Sequence, residues 1–509
     1  MKKVYLIILD GFGFGKHDRG DAVFQAQKPF LNEILEKYPM AQLKTYGKSV
    51  GLPEFQTGGS EVGHITIGSG RVIKHLLTKI NDKIESGAFF KNSKLTELFE
   101  KAKKKGRIHF YGLASDGGIH SFLPHLFGLQ KMAKKYGIPE IYIHAVLDGR
   151  DVGERTAKEF LVQIEEQKAG IIATVGGRFF GMDRDQNWDR EEKHYRVLTD
   201  KKTTGGKDWQ KELKKFYKET DKSDYYFPPI LCKEEGQIRE DDILICFNFR
   251  VDRMREIVEA LTAEKFKHFP REVILKTENI GVFGKYGTGT KMIFSEKGEK
   301  SPKNTLGEVF SKLGLKQLRI SETEKFNHVT FYFSGQRKEE FKGEERIMVP
   351  SPKCATYATK PAMSAREQTK KVITEIKKKK FSLIVQNFAN ADLVGHSGNL
   401  EAAEKGVRVL DECIKKIIPV ALKADYEIIL TADHGNADEM IYPNGEESAS
   451  HTKNPVPCVW ITKNPETKKL KPKGFLYDIA PTLCELAGIK IPKEMTGKSL
   501  IKGKNFSLS

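Results

Sequence analysis

At 509 residues and 39% hydrophobic, the chain is long enough for about two to four domains with substantial cores. Its six cysteines form no C-x-x-C pair and no close cluster, which excludes a disulfide framework or a cysteine metal site and fits a reducing cytoplasm. The formal net charge of +18 raises the question of nucleic acid, but the runs Lys103–Lys105 and Lys377–Lys380 fall on helix-like segments without interleaved aromatics; a solvated basic surface that speeds capture of small anions is the better reading, with no nucleic-acid partner.

The apolar run Val4–Leu9, behind Met1-Lys2-Lys3, has the outline of a signal peptide. It is too short, stops at Asp10 and has no small-residue cleavage site, so it reads as a buried first strand. No apolar run is long enough to span a bilayer. The glycines of Gly11-Phe12-Gly13-Phe14-Gly15-Lys16 invite a dinucleotide fingerprint, which Lys16 breaks at its last required glycine. No organic cofactor is expected, and Asp10 remains as an acid at a strand's carboxyl end. Gly51-Leu52-Pro53-Glu54 reads as a turn. In Thr57-Gly58-Gly59-Ser60-Glu61-Val62-Gly63-His64, the glycines let a ligand approach Ser60 closely. Ser60 is either the N-cap of the next helix or a nucleophile, with the helix N-terminus favouring phosphate and a metal activating the hydroxyl. The G-x-S-x-G elbow is not met, because Val62 holds its final position.

From about residue 71 to 300 helical stretches (Ser93–Lys104, Leu123–Lys135, Thr156–Gln167) alternate with strands at His109–Leu113, Ile141–Leu147, Ile171–Val175 and Ile243–Phe247, a second α/β unit. Polar residues follow each strand: Ser115 to His120; Asp148, Arg150 and Asp151; Arg178, Arg184 and Arg190; Arg250, Asp252 and Arg253. Arginines repeating after successive strands are better explained by a shared anion than by separate surface ion pairs. Lys285–Asn304 reads as turns and a linker. A second connection near Gly68–Gly70 makes the middle unit an insertion: 1–73 and 301–509 form a discontinuous outer domain around 74–300.

Beyond the linker, Asn304–Leu315 reads as a helix and His328–Phe333 as a strand. Lys325 precedes that strand, a place where lysines are more often solvated than catalytic. Phe381–Phe388 reads as a strand leading to Asp392 and His396, whose spacing of four puts both on one helical face. Tyr426–Leu430 leads to Asp433 and His434, an oxygen donor beside an imidazole, which suits a divalent transition metal. His451 precedes a strand at Val456–Ile461. A parallel sheet brings such strand ends together. With Ser60 they supply donors for two metals, and spacing alone reaches a two-metal phosphoryl-transfer enzyme acting on small anions.

The segments IILDGFG, GGSEVGHITIGSGR, SDGGIHS, LDGRDV, GMDRD, NFRVDR, ETEKFNHVTFYFSG, ADLVGHSG, TADHGNAD and SHTKNPVP resemble, in order and over nearly the whole chain, motifs of the cofactor-independent phosphoglycerate mutases. That resemblance implies an alkaline-phosphatase-like α/β sandwich with an inserted α/β phosphotransferase domain. It implies a cytoplasmic enzyme, read as a monomer, that interconverts 3-phosphoglycerate and 2-phosphoglycerate with two Mn²⁺, or Mg²⁺ or another divalent metal. Asp392, His396 and His451 would bind one metal, and Asp10, Ser60, Asp433 and His434 the other. Ser60 would become phosphoserine. His120, Arg150, Asp151, Arg184, Arg190, Arg250, Arg253 and Lys325 would hold substrate, with Asp151 as general acid/base and stretches 71–78 and 295–303 as hinges. Gly59, Val251 and Glu154 depart from the family pattern without removing a proposed ligand. The rival readings are another phosphomutase or a metal-dependent phosphohydrolase of the same superfamily, and a nucleic-acid binder.

Overall fold

The computed structural model describes residues 1–284, 286, 289–294, 301–442 and 444–503. The chain divides into two compact units, Met1–His75 with Gly298–Ser509, and Leu76–Lys297.

Every residue from Val4 to Leu9 is buried, the pattern of a strand covered on both faces. Strand Lys3–Leu9 accordingly lies inside the eight-stranded sheet of the first unit, parallel to Leu383–Phe388 on one side and to Tyr426–Thr431 on the other. Strand Gln317–Glu322 extends the parallel set beyond Leu383–Phe388, and Glu344–Val349 closes that edge. On the other side Val456–Ile461 runs antiparallel to Tyr426–Thr431 and carries Met40–Lys44, with Lys473–Phe475 at the far edge. The register aligns Leu9 with Phe388 and Ile8 with Thr431. The carboxyl ends of three neighbouring strands therefore finish at one level, where Asp10, Asn387 and Asp433 emerge.

The second unit is a seven-stranded sheet in the order Ile230–Leu231, Ile171–Gly177, Glu140–Leu147, Arg107–Ala114, Leu244–Cys246, Ile280–Val282, Lys291–Met292, parallel except for Ile230–Leu231. Four neighbouring strands again end on one side, the side of His120, Asp148, Arg178 and Asn248.

Two expectations need correction. His328–Phe333 is not a strand. Helix Thr323–Asn327 runs on into a wide turn, in which the Phe333 N–H reaches the His328 carbonyl at 3.0 Å. Its β-branched and aromatic composition imitates a strand, but Val329 and Phe333, four apart, are both buried on one helical face. Gly68 accommodates the close approach of the Phe333 carbonyl, since a Cβ there would lie 2.0 Å from that oxygen. The strand of this region is Gln317–Glu322, concealed by its buried polar residues Gln317, Arg319 and Ser321. The stretch Lys285–Asn304 is not all turns and linker, because Lys291–Met292 forms an edge strand; Lys285, Gly287, Thr288 and residues 295–300 lie outside the described residues, and with them most of the expected second hinge. On the other connection, Leu76 already opens helix Leu76–Glu85.

Candidate active site

In the first unit the strand ends converge on Ser60. Gly59, not Ser60, is the N-cap of helix Ser60–Ser69, and it makes no side-chain capping bond. The capping reading of Ser60 therefore fails, and its hydroxyl faces the sheet instead. Gly63 lets the helix press onto Asp433, where a Cβ would come within 2.9 Å of the aspartate Cβ. Ser60 Oγ donates to Asp10 Oδ1 at 3.1 Å and lies 3.0 Å from His434 Nε2. Lys325, whose helix follows strand Gln317–Glu322, donates from Nζ to Ser60 Oγ at 2.6 Å, Asp10 Oδ1 at 2.8 Å and Asp392 Oδ2 at 2.5 Å. Sequence reasoning placed Lys325 before a strand; it lies after one, and that is why it reaches the site.

Asp392 lies in the short helix Asn390–Gly395 and His396 caps its end, with Asp392 Oδ1 3.3 Å from His396 Nε2 and 3.2 Å from His451 Nε2. Two groups of potential metal donors result, Asp392 with His396 and His451, and Asp10 with Asp433 and His434. The three imidazoles are oriented alike. Nδ1 of His396 faces the Ala449 carbonyl at 2.7 Å, that of His451 the Gly58 carbonyl at 2.8 Å and that of His434 the Gly435 carbonyl at 3.3 Å. A proton on Nδ1 satisfies each carbonyl and leaves the Nε2 lone pair pointing inward, the usual outer-shell arrangement of a metal-binding histidine. Asp10, Asp392 and Asp433 are all buried; the Lys325 ammonium pairs with the first two, while Asp433 faces His64 and His434. Buried charge is costly unless paired, so this donor set fits bound cations.

The electrostatics point the same way. Burial alone would push Asp10 and Asp392 up, but the Lys325 ammonium holds both well below the carboxylate range. Burial would push Lys325 down, yet Asp10 and Asp392 hold it above the usual lysine value. His434 is raised to about 10 against its burial, chiefly by Asp433. His396 is raised by Asp392 despite burial, whereas burial and the neighbouring His434 lower His451.

The second unit gathers the guanidiniums. Arg178, at the end of strand Ile171–Gly177, is buried and donates from Nη1 to Asp148 Oδ1 at 2.6 Å and Asp151 Oδ2 at 2.7 Å. His120 Nε2 lies 4.0 Å from Asp151 Oδ2, and His120 Nδ1 3.8 Å from Asp252 Oδ1. Asp252 also receives Arg184 Nη1 at 3.0 Å and faces Arg250 Nε at 3.5 Å. Arg190 pairs with Asp183 at 3.2 Å and stacks its guanidinium 4.1 Å from the Phe179 ring centroid. Arg253 is buried and donates to the Met182 carbonyl at 3.1 Å. Arg150, Arg184 and Arg250 are exposed. Burial, then the Arg178 charge, pushes His120 down to about 3, so it is neutral and can accept or donate a hydrogen bond.

Sequence reasoning did not single out four residues that shape these sites. His64 lies one turn beyond Ser60, a spacing that would have pointed to it. Its Nδ1 lies 2.9 Å from the Ser60 carbonyl and 3.1 Å from Asp433 Oδ2, and its Nε2 3.0 Å from Asn387 Nδ2. Asn387 also donates to Asp10 Oδ2 at 2.7 Å. Asn436 Nδ2 reaches Asp392 Oδ1 at 3.3 Å. Arg178 was visible only as another arginine after a strand.

Comparison with known proteins follows the same lines. The description of the metalloenzyme superfamily matches residues 2–491. The 2,3-bisphosphoglycerate-independent phosphoglycerate mutase of Clostridium tetani (strain Massachusetts / E88) is 44% identical over 512 residues, covering 99% of this chain and 99% of its own. That of Clostridium botulinum (strain ATCC 19397 / Type A) is 43% identical, covering 98% and 99%. Among solved structures, phosphoglycerate mutase of Leishmania mexicana, determined at low cobalt concentration, superposes with a TM-score of 0.73 at 29% identity, covering 99% of this chain and 98% of its own.

Proposed function

The chain belongs to the metalloenzyme superfamily and, within it, to the 2,3-bisphosphoglycerate-independent phosphoglycerate mutases, and from that membership we propose how its residues divide the work. The fold is the alkaline-phosphatase-like α/β type with a second α/β unit inserted. The reaction is the interconversion of 3-phosphoglycerate and 2-phosphoglycerate, which depends on divalent metal and takes a small-molecule substrate. No helix among the described residues is long and apolar enough to cross a membrane. A monomer in the cytoplasm is our reading.

Asp392, His396 and His451 would hold one cation, and Asp10, Asp433, His434 and Ser60 a second; Mn²⁺ suits their mixture of carboxylate and imidazole. When bound, these ions supply Lewis-acid charge that favours an ionised hydroxyl and offsets the phosphoryl oxygens. The chain's own groups do the rest. Ser60 Oγ, which donates to Asp10 Oδ1 at 3.1 Å, gives up its proton to solvent and attacks phosphorus. Lys325, kept protonated by its acid neighbours, offsets charge developing on Oγ and on the transferring group. The departing glycerate oxygen takes a proton from Asp151, the candidate general acid/base. His120, Arg150, Arg184, Arg190, Arg250 and Arg253 hold the glycerate while it reorients. Asp151 then takes the proton of the other hydroxyl, which attacks phosphoserine and frees Ser60.

The observation that carries this reading is the convergence of Asp10, His434 and Lys325 on the single Ser60 hydroxyl. Protein quenched during turnover and analysed by mass spectrometry should carry phosphate on Ser60. Ser60→Ala should lose mutase activity by at least ~10³-fold, in line with removal of a nucleophile that acts as part of a unit. Substantial activity in that variant would overturn the assignment.

A further inference from the structure

We propose that Arg178 and Asp148, together, are positioning residues for Asp151, fixing its Oδ2 so that Oδ1 alone is offered to the glycerate hydroxyls. The inference rests on the acid/base reading of Asp151 and deepens it.

The geometry is specific. One nitrogen of Arg178, Nη1, donates to Asp151 Oδ2 at 2.7 Å and to Asp148 Oδ1 at 2.6 Å. Asp148 Oδ1 also accepts the backbone N–H groups of Arg150 at 3.2 Å and Asp151 at 3.0 Å, which folds the loop presenting both residues. Arg178 and Asp148 are buried and directly follow adjacent strands, Ile171–Gly177 and Glu140–Leu147, so the pair is held close against the sheet. Among the described residues Asp151 Oδ1 accepts no hydrogen bond. A carboxylate held by one oxygen keeps the other in a fixed direction for proton transfer, whereas an untethered one rotates.

The same two residues bracket the charge of Asp151. The groups facing it are Asp148 and Arg150 on its own loop, Arg178 from the neighbouring strand end, and His120 from the loop after Arg107–Ala114, with Asp252 behind His120. Burial, then the Asp148 charge, raises Asp151, while Arg178 draws it back. Removing either member should therefore move the Asp151 ionisation in opposite directions, which a loss of structure alone would not do.

The test is the pH dependence of kcat at saturating 3-phosphoglycerate and saturating metal. In R178Q one ionisation should move up by ~1 pH unit, and in D148N the same one should move down by a similar amount, as removal of a neighbouring charge requires. kcat of R178Q should fall at least ~10-fold with KM within about threefold, part of the general acid/base contribution. R178K, which retains the charge, should keep the wild-type ionisation. If R178Q does not fold, D148N decides: no shift, or an upward one, overturns the proposal. D151N separates the two layers. If it retains mutase activity, the acid/base reading itself falls. If it is inactive while R178Q and D148N leave the ionisation in place or move it the same way, only the positioning role is overturned.

Discussion

The sheet of Met1–His75 and Gly298–Ser509 ends in carboxylates and imidazoles that are mostly buried, tied to backbone carbonyls and crowded around one lysine. The sheet of Leu76–Lys297 ends in guanidiniums, of which Arg150, Arg184 and Arg250 are left exposed. Both use the same device, the converging carboxyl ends of parallel strands, with opposite sign. In our proposal the first would hold cations, for which rigid pre-oriented donors matter, and the second an organic anion that must turn over, met by exposed guanidiniums on a fixed acidic base.

The comparison breaks most sharply at Lys325. Lys325→Met leaves Asp10 and Asp392 facing each other without the ammonium. Removing one partner of such a buried group costs about 3–5 kcal/mol, which denaturant unfolding in chelator should register. Activity should also fall by at least ~10²-fold, as for loss of a group that stabilises transition-state charge. A variant as stable as the parent in chelator would show that Lys325 does not hold the acids together.

Acid should separate the units next. In the second unit burial holds His125 and His194 down at about 3, against 6.5 unfolded. The unfolded chain binds protons there that the folded unit refuses, so stability is lost as pH falls from 6.5 toward 3, by about 1.4 kcal/mol per pH unit for each histidine. In the metal-free first unit His434 has the opposite sign. Its pKa of about 10 gives stability that is complete below 6.5 and lost as pH rises through about 10. Hydrogen exchange at pH 5, corrected for intrinsic rate, should lose protection in Arg107–Ala114 before Lys3–Leu9. The reverse order would contradict this assignment.

A smaller effect lies in the outer support of the acidic cluster. Asn387→Ala removes the amide that holds Asp10 Oδ2 at 2.7 Å, and metal affinity measured by calorimetry should weaken by about 10–100-fold, the usual cost of losing such a partner. Unchanged affinity would mean that Asp10 needs no such orientation. Smallest in stability is Arg184→Gln. Its pairing with Asp252 at 3.0 Å is solvent-exposed, so unfolding should change by less than about 1 kcal/mol. KM for 3-phosphoglycerate should nevertheless rise roughly tenfold, the worth of one charge-assisted hydrogen bond. A loss of stability without a change in KM would make Arg184 structural.

Local pattern carried far in this chain because the chemistry sits at element ends. The apolar run before Asp10, the spacing of Asp392 and His396, and the glycines around Ser60 each state their element and its terminus within a few residues. Composition misled at His328–Phe333, where β-branched and aromatic residues occupy a helical turn, and at Gln317–Glu322, where a strand buries glutamine, arginine and serine. Those are packing decisions. Arg319 is buried in the core, where its Nη2 donates to Gln317 at 2.6 Å and its guanidinium lies 4.6 Å from the centroid of the Phe333 ring, a packing partner outside its own strand.

By itself the sequence determined most of the strands and helices at the site, the strand before Lys325 excepted, and which acids, imidazoles and guanidiniums stand at their ends, since those follow from periodicity and turn chemistry. Only the tertiary structure decided that the first strand lies between the segments ending in Phe388 and Thr431, that Gly59 caps the helix so that Ser60 turns inward, and that one nitrogen of Arg178 serves two aspartates. Strand order and side-chain direction are set by burying whole faces against one another, a free energy shared by residues hundreds of positions apart and therefore written in no single stretch of the chain.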